Sequence, residues 1–400
     1  MILLRQRSRL KAWFLLFRPW SYTATLVPFL VAAGLFVQVN PERRPDCWLR
    51  WTLGLLSGVL FQATVNLLNT WGDEKSGVDN VPGAIRTTPQ VHEGLVSLRA
   101  VFAAAAVCAL LAAGIGCALC FYPVPEWCRS SVAPSPNAPS FAFCYSLLAA
   151  GIVGALGATN YSTGFKFKYR GLGVPFVSFL MGPLEIFVGF AIAAPALADR
   201  MVAAAVCAAW QAPMAVVPWL GVWAVFLLLL VAPVALLVGV IMHGNDMRDI
   251  PTDRAAGIRT FASWMGPRRA LGYYYFCHIG AYVPPLLFAA WGGLTRLGLR
   301  SLFFLLPLLA LPLTARTLRT ATRVYRENPV CPKWRGLERS SGGIHLVFGA
   351  LYALAFALAM GRPTIGRCPN SAEGICVPTL SPSPPTNHQP LTTCQVTAPG

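Results

Sequence analysis

Two short polar stretches each follow directly on an apolar run and offer oxygen donors at helical spacing. The first is Asn66-Leu67-Leu68-Asn69-Thr70-Trp71-Gly72-Asp73, with Asp79 a little further on. Asn69 and Asp73 are four residues apart and share a helix face, and Asn66 lies one turn earlier. Ser76 and Gly77 favour a helix stop, which puts Asp79 in a loop. The second stretch runs from His243 to Asp253, with Asn245, Asp249 and Asp253 at i, i+4 and i+8; Pro251 falls in its last turn. Asn245 follows Asn69 by 176 positions, and Asp249 follows Asp73 by the same 176. This reads as a parallel internal duplication whose polar ends face each other across a bundle. Carboxylate and amide oxygens are hard donors suited to Mg²⁺. Two acidic ends across a cavity repel each other unless cations bridge them. Mg²⁺ held partly by a substrate's diphosphate would do so. The alternative is that these residues only cap helix ends at a membrane surface. The matching Asn-x-x-x-Asp pairs favour the metal site.

Basic residues surround both stretches and suit a diphosphate. Lys166, Lys168 and Arg170 lie between them in sequence. Arg248, Arg254 and Arg259 flank the second, Arg86 follows the first, and Arg18 stands before the first apolar run. Spacing alone leaves Lys168 and Arg170 open between a phosphate role and ordinary positive loop charge.

The elements carrying these residues must cross a bilayer. Of 400 residues, 56% are hydrophobic and only 12% charged, with a mean hydropathy of +0.56. A soluble domain carries roughly 25% charged residues, so a soluble globular reading is excluded. Nine apolar runs are candidate spans: 20–38, 50–71, 100–121, 141–159, 175–196, 214–242, 271–293, 301–315 and 343–361. The eighth is the shortest and is interrupted by Pro307 and Pro312. Arg5, Arg7, Arg9 and Lys11 before the first run give it the look of a secretory signal. The run continues past Val31-Ala32-Ala33-Gly34, however, and reads as a retained helix. The expected fold is an all-α integral membrane bundle of about nine transmembrane helices. A basic segment precedes it at 1–11, the bundle fills 12–361, and a Pro/Ser/Thr-rich tail at 362–400 is expected to be disordered.

The formal charge of +17 sorts by side. With nine spans, the N-terminus and the loops after even-numbered spans hold 23 of the 32 basic residues. The positive-inside rule makes that side cytoplasmic, so both acidic motifs sit at cytoplasmic helix ends. The eighth loop (Arg316, Arg319, Arg323, Arg326, Lys333, Arg335, Arg339) reads as this positive decoration, with room for anionic-lipid contact. The basic excess is a cytoplasmic membrane face, so no nucleic-acid partner is expected. Cys368, Cys376 and Cys394 in the tail would face an outside or luminal compartment and could oxidise there.

These motifs resemble those of the UbiA superfamily of intramembrane prenyltransferases. The runs Asn66–Asp79 and Asn245–Thr260 are similar to the naphthoquinone branch, which makes menaquinone or vitamin K2. Phe17-Arg18-Pro19-Trp20-Ser21 and the segment Tyr161–Gly173 agree with it in order, and the resemblance extends over about residues 12–361. It implies Mg²⁺ held by Asp73, Asp79, Asp249 and Asp253. It implies a prenyl diphosphate bound by Asn66, Asn69, Asn245, Arg18, Arg86, Lys166 and Arg170. Lys168, Arg248 and Tyr161 become catalytic residues, the first two easing diphosphate departure and Tyr161 steadying the allylic cation. The implied reaction moves a polyprenyl group, such as geranylgeranyl, to a naphthoquinol or 1,4-dihydroxy-2-naphthoate within membrane lipid. The long tail points to an endomembrane location in the ER or Golgi. The alternatives are another aromatic acceptor, such as 4-hydroxybenzoate or homogentisate, or a secondary transporter.

Two residues depart from the pattern. Val174 stands where the family's middle segment carries an acid, which puts one metal or water contact in doubt. Glu185 lies inside the fifth span with no counterpart in the family. An intramembrane acid is a functional candidate. It either lines the acceptor cavity or is satisfied by a hydroxyl.

Overall fold

The computed structural model describes residues 2–39, 45–76, 91, 94–121, 141–162, 164–194, 213–255, 257–293 and 298–359. All belong to one compact unit, Met1–Gly361. The tail and its cysteines lie outside the described residues.

Every regular element among the described residues is helical. Helix α1 (Ile2–Phe17) passes through a 3₁₀ turn (Pro19–Tyr22) into α2 (Thr23–Val39); α3 (Pro45–Ser76), α4 (Leu98–Phe121) and α5 (Phe141–Tyr161) follow. After a 3₁₀ turn at Phe167–Arg170 come α6 (Gly173–Phe179), a π-helical segment (Leu180–Leu184) and α7 (Glu185–Ala193). The second half holds α8 (Pro213–Ala255), α9 (Phe261–Gly280), α10 (Val283–Gly293), a 3₁₀ helix (Gly298–Ala310), α11 (Leu311–Glu327) and α12 (Leu337–Ala359). Backbone polar groups have no water partner in hydrocarbon, which is why helices alone carry the chain across.

Seven stretches among the described residues are long and apolar enough to span: 9–37, 45–75, 98–120, 173–193, 227–255, 298–327 and 337–359. The protein is therefore multi-pass and integral to a membrane. Several expected boundaries shift. The run 175–196 is one crossing, but Pro183, which lacks an N–H, sits in its π-helical segment. The run 271–293 is broken at Ala281-Tyr282, just before Pro284 and Pro285. The eighth run does not stop at 315. The part with Pro307 is 3₁₀, Pro312 sits in the first turn of α11, and α11 continues to Glu327. Arg316, Arg319, Arg323 and Arg326 thus lie on a helix, not in a loop.

Lipid tails are as apolar as leucine, so helix association here rests on close packing. Helix α2 lies against α12, and α8 against α9 and α12. Their core gathers Val27, Val31, Val234, Tyr274, Phe348, Tyr352 and Phe356. At Gly349 a Cβ would collide with Val27, and at Gly34 with the Ala353 carbonyl, so these two positions set the α2–α12 spacing. Helices α4 and α5 instead present Leu110, Leu111, Leu148 and Leu156 outward, as lipid-facing surfaces do. Arg50 does not add to the surface charge. It is buried and donates to the carbonyls of Ile192 and Leu119 at 3.2 and 3.1 Å, tying the ends of α7 and α4 to α3.

Candidate active site

The last turns of α3 carry Asn66, Asn69 and Asp73 on one face, and those of α8 carry Asn245, Asp249 and Asp253. The 161–173 segment joins the two. Lys166 takes a left-handed conformation (φ 58°) and starts the 3₁₀ turn that ends at Gly171 (φ 76°). That reversal brings Lys168 Nζ within 3.1 Å of Asp73 Oδ2 and lets the Tyr169 hydroxyl donate to Asp73 Oδ1 at 2.5 Å. Burial opposes the Lys168 charge. Asp73, with contributions that include Asp249, outweighs burial and holds the Lys168 pKa above its ordinary value. Lys168 is thus the cation on which the two acidic ends converge. Behind it, Ser162 Oγ donates to Asn69 Oδ1 at 3.1 Å.

On α8, Arg248 Nε and Nη2 both donate to the Asp249 carboxylate at 2.7 Å. Its Nη1 lies 3.5 Å from Glu338 Oε1 at the start of α12. Gly244 permits that approach, since a Cβ there would sit 3.1 Å from the Glu338 backbone nitrogen. Asp253 accepts from Thr260 Oγ1 at 2.6 Å, which folds the chain after α8 back onto it. Asp246 is buried beside these acids and close enough to Asp253 and Asp249 to feel their charge.

A second left-handed residue, Arg18 (φ 51°), starts the 3₁₀ turn Pro19–Tyr22. Asn66 fastens that turn: its amide donates to the Phe17 carbonyl at 2.8 Å and to Ser21 Oγ at 2.9 Å. Arg18 reaches Thr70 Oγ1 at 3.5 Å. Beneath lies a cavity of about 340 Å³. Arg18, Asn66, Asn69, Tyr161, Asn245 and Arg248 line its polar end, and Ala24, Val65, Val177, Met181 and Val238 its apolar end. Tyr161 is buried, and burial, then Asp246, raises its pKa and keeps the phenol neutral.

The sequence pattern of the UbiA prenyltransferase family matches residues 25–330, a stretch that holds both acidic helix ends and the segment between them. The chain belongs to that family. As a member it is an intramembrane prenyltransferase. UbiA prenyltransferase domain-containing protein 1 from Homo sapiens is 25% identical over 356 residues, which covers 88% of this chain and 85% of that protein. The homolog from Drosophila melanogaster is 26% identical over 362 residues, covering 90% and 82%. Among solved structures, a UbiA homologue from Archaeoglobus fulgidus bound to GPP and Mg²⁺ aligns at a TM-score of 0.49. It is 17% identical over 86% of this chain and 99% of that one.

The candidate site gathers most, not all, of the residues named from sequence. Asp79 and Arg86 lie outside the described residues. Lys166 and Arg170 are exposed and have no described contact with either acidic end; the Arg170 guanidinium lies 4.1 Å from the centre of the Phe165 ring. Val174 is fully buried and faces Gly239 of α8. Glu185 accepts from Thr25 Oγ1 at 3.2 Å, and its other oxygen is buried without a partner among the described residues. Sequence reasoning passed over Tyr169, Ser162, Glu338 and Arg339. Glu338 is an acid in the first turn of an apolar helix, a signal that could have been read. Arg339 was counted as loop decoration, yet it lines the cavity and lies 4.8 Å over the Trp20 ring.

Among the described residues no three acidic, His or Cys side chains form a ready-made metal cage. That suits Mg²⁺, which takes one or two carboxylates and completes its shell with substrate phosphate and water. Asp73 and Asp249 on facing helix ends, with the Asn69 and Asn245 amides between them and the cavity, are a fitting oxygen donor set.

Proposed function

We propose that this chain is an Mg²⁺-dependent enzyme that transfers a polyprenyl group from its diphosphate to a naphthoquinol-type ring, such as 1,4-dihydroxy-2-naphthoate, in menaquinone or vitamin K2 synthesis. The observation that carries the reading is the convergence of the two Asn-x-x-x-Asp helix ends on Lys168, with Asn69 and Asn245 of those same ends lining a cavity that has an apolar floor. Asp73 and Asp249, with Asp253 and Asp79, would hold the metal, which when bound neutralises phosphate oxygens. Asn69, Asn245, Arg18 and Arg248 orient the diphosphate. Asn66 fixes the turn that carries Arg18.

The allylic C–O bond breaks with its electron pair going to the diphosphate, whose charge Lys168 and Arg248 offset. A ring carbon of the acceptor then bonds to the allylic carbon and gives up its proton to the released diphosphate. The neutral Tyr161 ring at the cavity wall stabilises the passing cation, and the apolar floor receives the tail and keeps water away. Positive charge concentrated at the motif end supports a cytoplasmic site. The naphthoquinone-type motif details and the Pro-rich tail support an endomembrane quinone pathway.

The test supplies purified protein with Mg²⁺, labelled prenyl diphosphates of several lengths and a panel of aromatic acceptors, with products read by mass spectrometry. Transfer to naphthalene diols is expected, and Asp249→Ala abolishes it while leaving expression intact. Transfer only to single-ring acceptors would overturn the acceptor assignment. Turnover in Asp249→Ala would overturn the site.

A further inference from the structure

A second recess, open to the surface, lies away from the prenyl-transfer site, between α9 and α11. It offers about 570 Å³ and is lined by Tyr275, Arg319, Thr322, Arg323, Arg326 and Glu327. The three arginines recur at i, i+4 and i+7 and so share one helix face. All are exposed, and none has an ion-pair partner among the described residues. The helix that presents them is braced from behind. Thr314, Thr317, Leu318 and Ala321 are buried on its other face. The Trp334 indole donates to the Ala321 carbonyl at 2.9 Å, and the Tyr275 hydroxyl pairs with Thr322 Oγ1 at 2.7 Å. A guanidinium is a planar donor fork matched to phosphate oxygens, while the hydroxyl pair, with Thr322 Oγ1 donating to the Leu318 carbonyl at 2.9 Å, holds the floor between the arginines. The surface then turns apolar along both helices, with Phe276 and Ile279 on α9 and Leu311 and Leu313 on α11 all exposed. Cations at one end and greasy surface below match a phospholipid, head and tail.

We infer that the α9–α11 cavity is a binding site for the phosphate headgroup of an anionic membrane phospholipid. The charge selects the headgroup: three cations face one carboxylate, Glu327, so a net negative phosphate is favoured over a zwitterion. The apolar flank selects a lipid over a free phosphate, because only a lipid uses both surfaces.

The experiment places the full chain in phosphatidylcholine nanodiscs doped with phosphatidic acid, and reads the lipids retained on release by native mass spectrometry. Wild-type protein retains phosphatidic acid in preference to phosphatidylcholine. Changing Arg319, Arg323 and Arg326 together to Gln lowers that preference by about tenfold or more, since each cation near an anionic surface contributes on the order of 1 kcal/mol. Changing the three to Lys preserves only part of it, because the fork is lost. The pair Arg268→Gln and Arg269→Gln, on exposed positions of α9 outside the cavity, leaves it intact. Unchanged prenyl transfer in neutral detergent shows that the triple variant is folded; should that variant fail to fold, Arg323→Gln alone serves. Equal retention by wild type and the Gln variant would overturn the site, as would an equal loss from the α9 pair. Displacement of the lipid by inorganic diphosphate would overturn the lipid and assign the cavity to a soluble phosphate.

Discussion

Lys168 is where the charge balance of the site is concentrated. Replacing it with Gln leaves Asp73 and Asp249 facing each other without their shared cation and removes a group that offsets the leaving diphosphate. Turnover is expected to fall by about 10²–10³-fold, as for loss of one preorganised charge-stabilising donor, with Lys168→Arg partly restored. Steady-state kinetics on the two variants check this, and full activity in Lys168→Gln would remove Lys168 from the mechanism. Asn66 makes a different kind of contribution. Asn66→Ala removes the donor to the Phe17 carbonyl and to Ser21 Oγ and costs about 1–3 kcal/mol. Because the freed turn carries Arg18, KM for the prenyl diphosphate should rise more than kcat falls; an unaltered melting temperature would show that Asn66 is no tether. The residue types and the 176-residue offset made Asn69, Asp73, Asn245 and Asp249 legible in the sequence. Tyr169 was not, and Glu338 showed only as an acid opening an apolar helix, because their partners lie 90 or more positions away in the chain: Arg248 for Glu338, and Asp73 for Tyr169.

At the scale of elements, the apolar runs showed where helices cross but not where they bend. Leu180–Leu184 is apolar throughout apart from Pro183, and hydropathy cannot separate a π segment from an α-helix. Nor could it show that α11 continues beyond its apolar part, since Arg316, Arg319, Arg323 and Arg326 face outward while the opposite face stays buried. Packing was equally hidden: Gly349 and Gly343 look alike in sequence, yet only the first meets a neighbouring helix. Gly349→Leu drives a side chain into Val27 and is expected to destabilise the bundle by about 1–3 kcal/mol or more, whereas exposed Gly343→Leu should be near neutral. Thermal unfolding in detergent compares them, and equal melting temperatures would refute the α2–α12 contact.

At the scale of the whole molecule, the bundle separates two tasks. One end gathers like charges that need an outside cation, and the interior supplies an apolar cavity. The purified chain should therefore bind inorganic diphosphate and Mg²⁺ as a pair. Together at saturating concentration, about 100 times Kd, they should add on the order of 2.7 kcal/mol of stability. Either alone should add far less, and Asp249→Ala should erase the gain. A melting temperature raised equally by diphosphate without metal would contradict the assigned donor set.

Helix α12 follows every other described helix in the chain, yet it gives Glu338 to Arg248, sets Arg339 over Trp20 and seats Gly349 against Val27. A ribosome therefore delivers both acidic helix ends well before the piece that closes the cavity around them. A nascent chain halted before Leu337 carries both acidic helix ends but neither Glu338 nor Arg339, so the chamber is finished only when α12 has inserted, and not when the acidic residues appear.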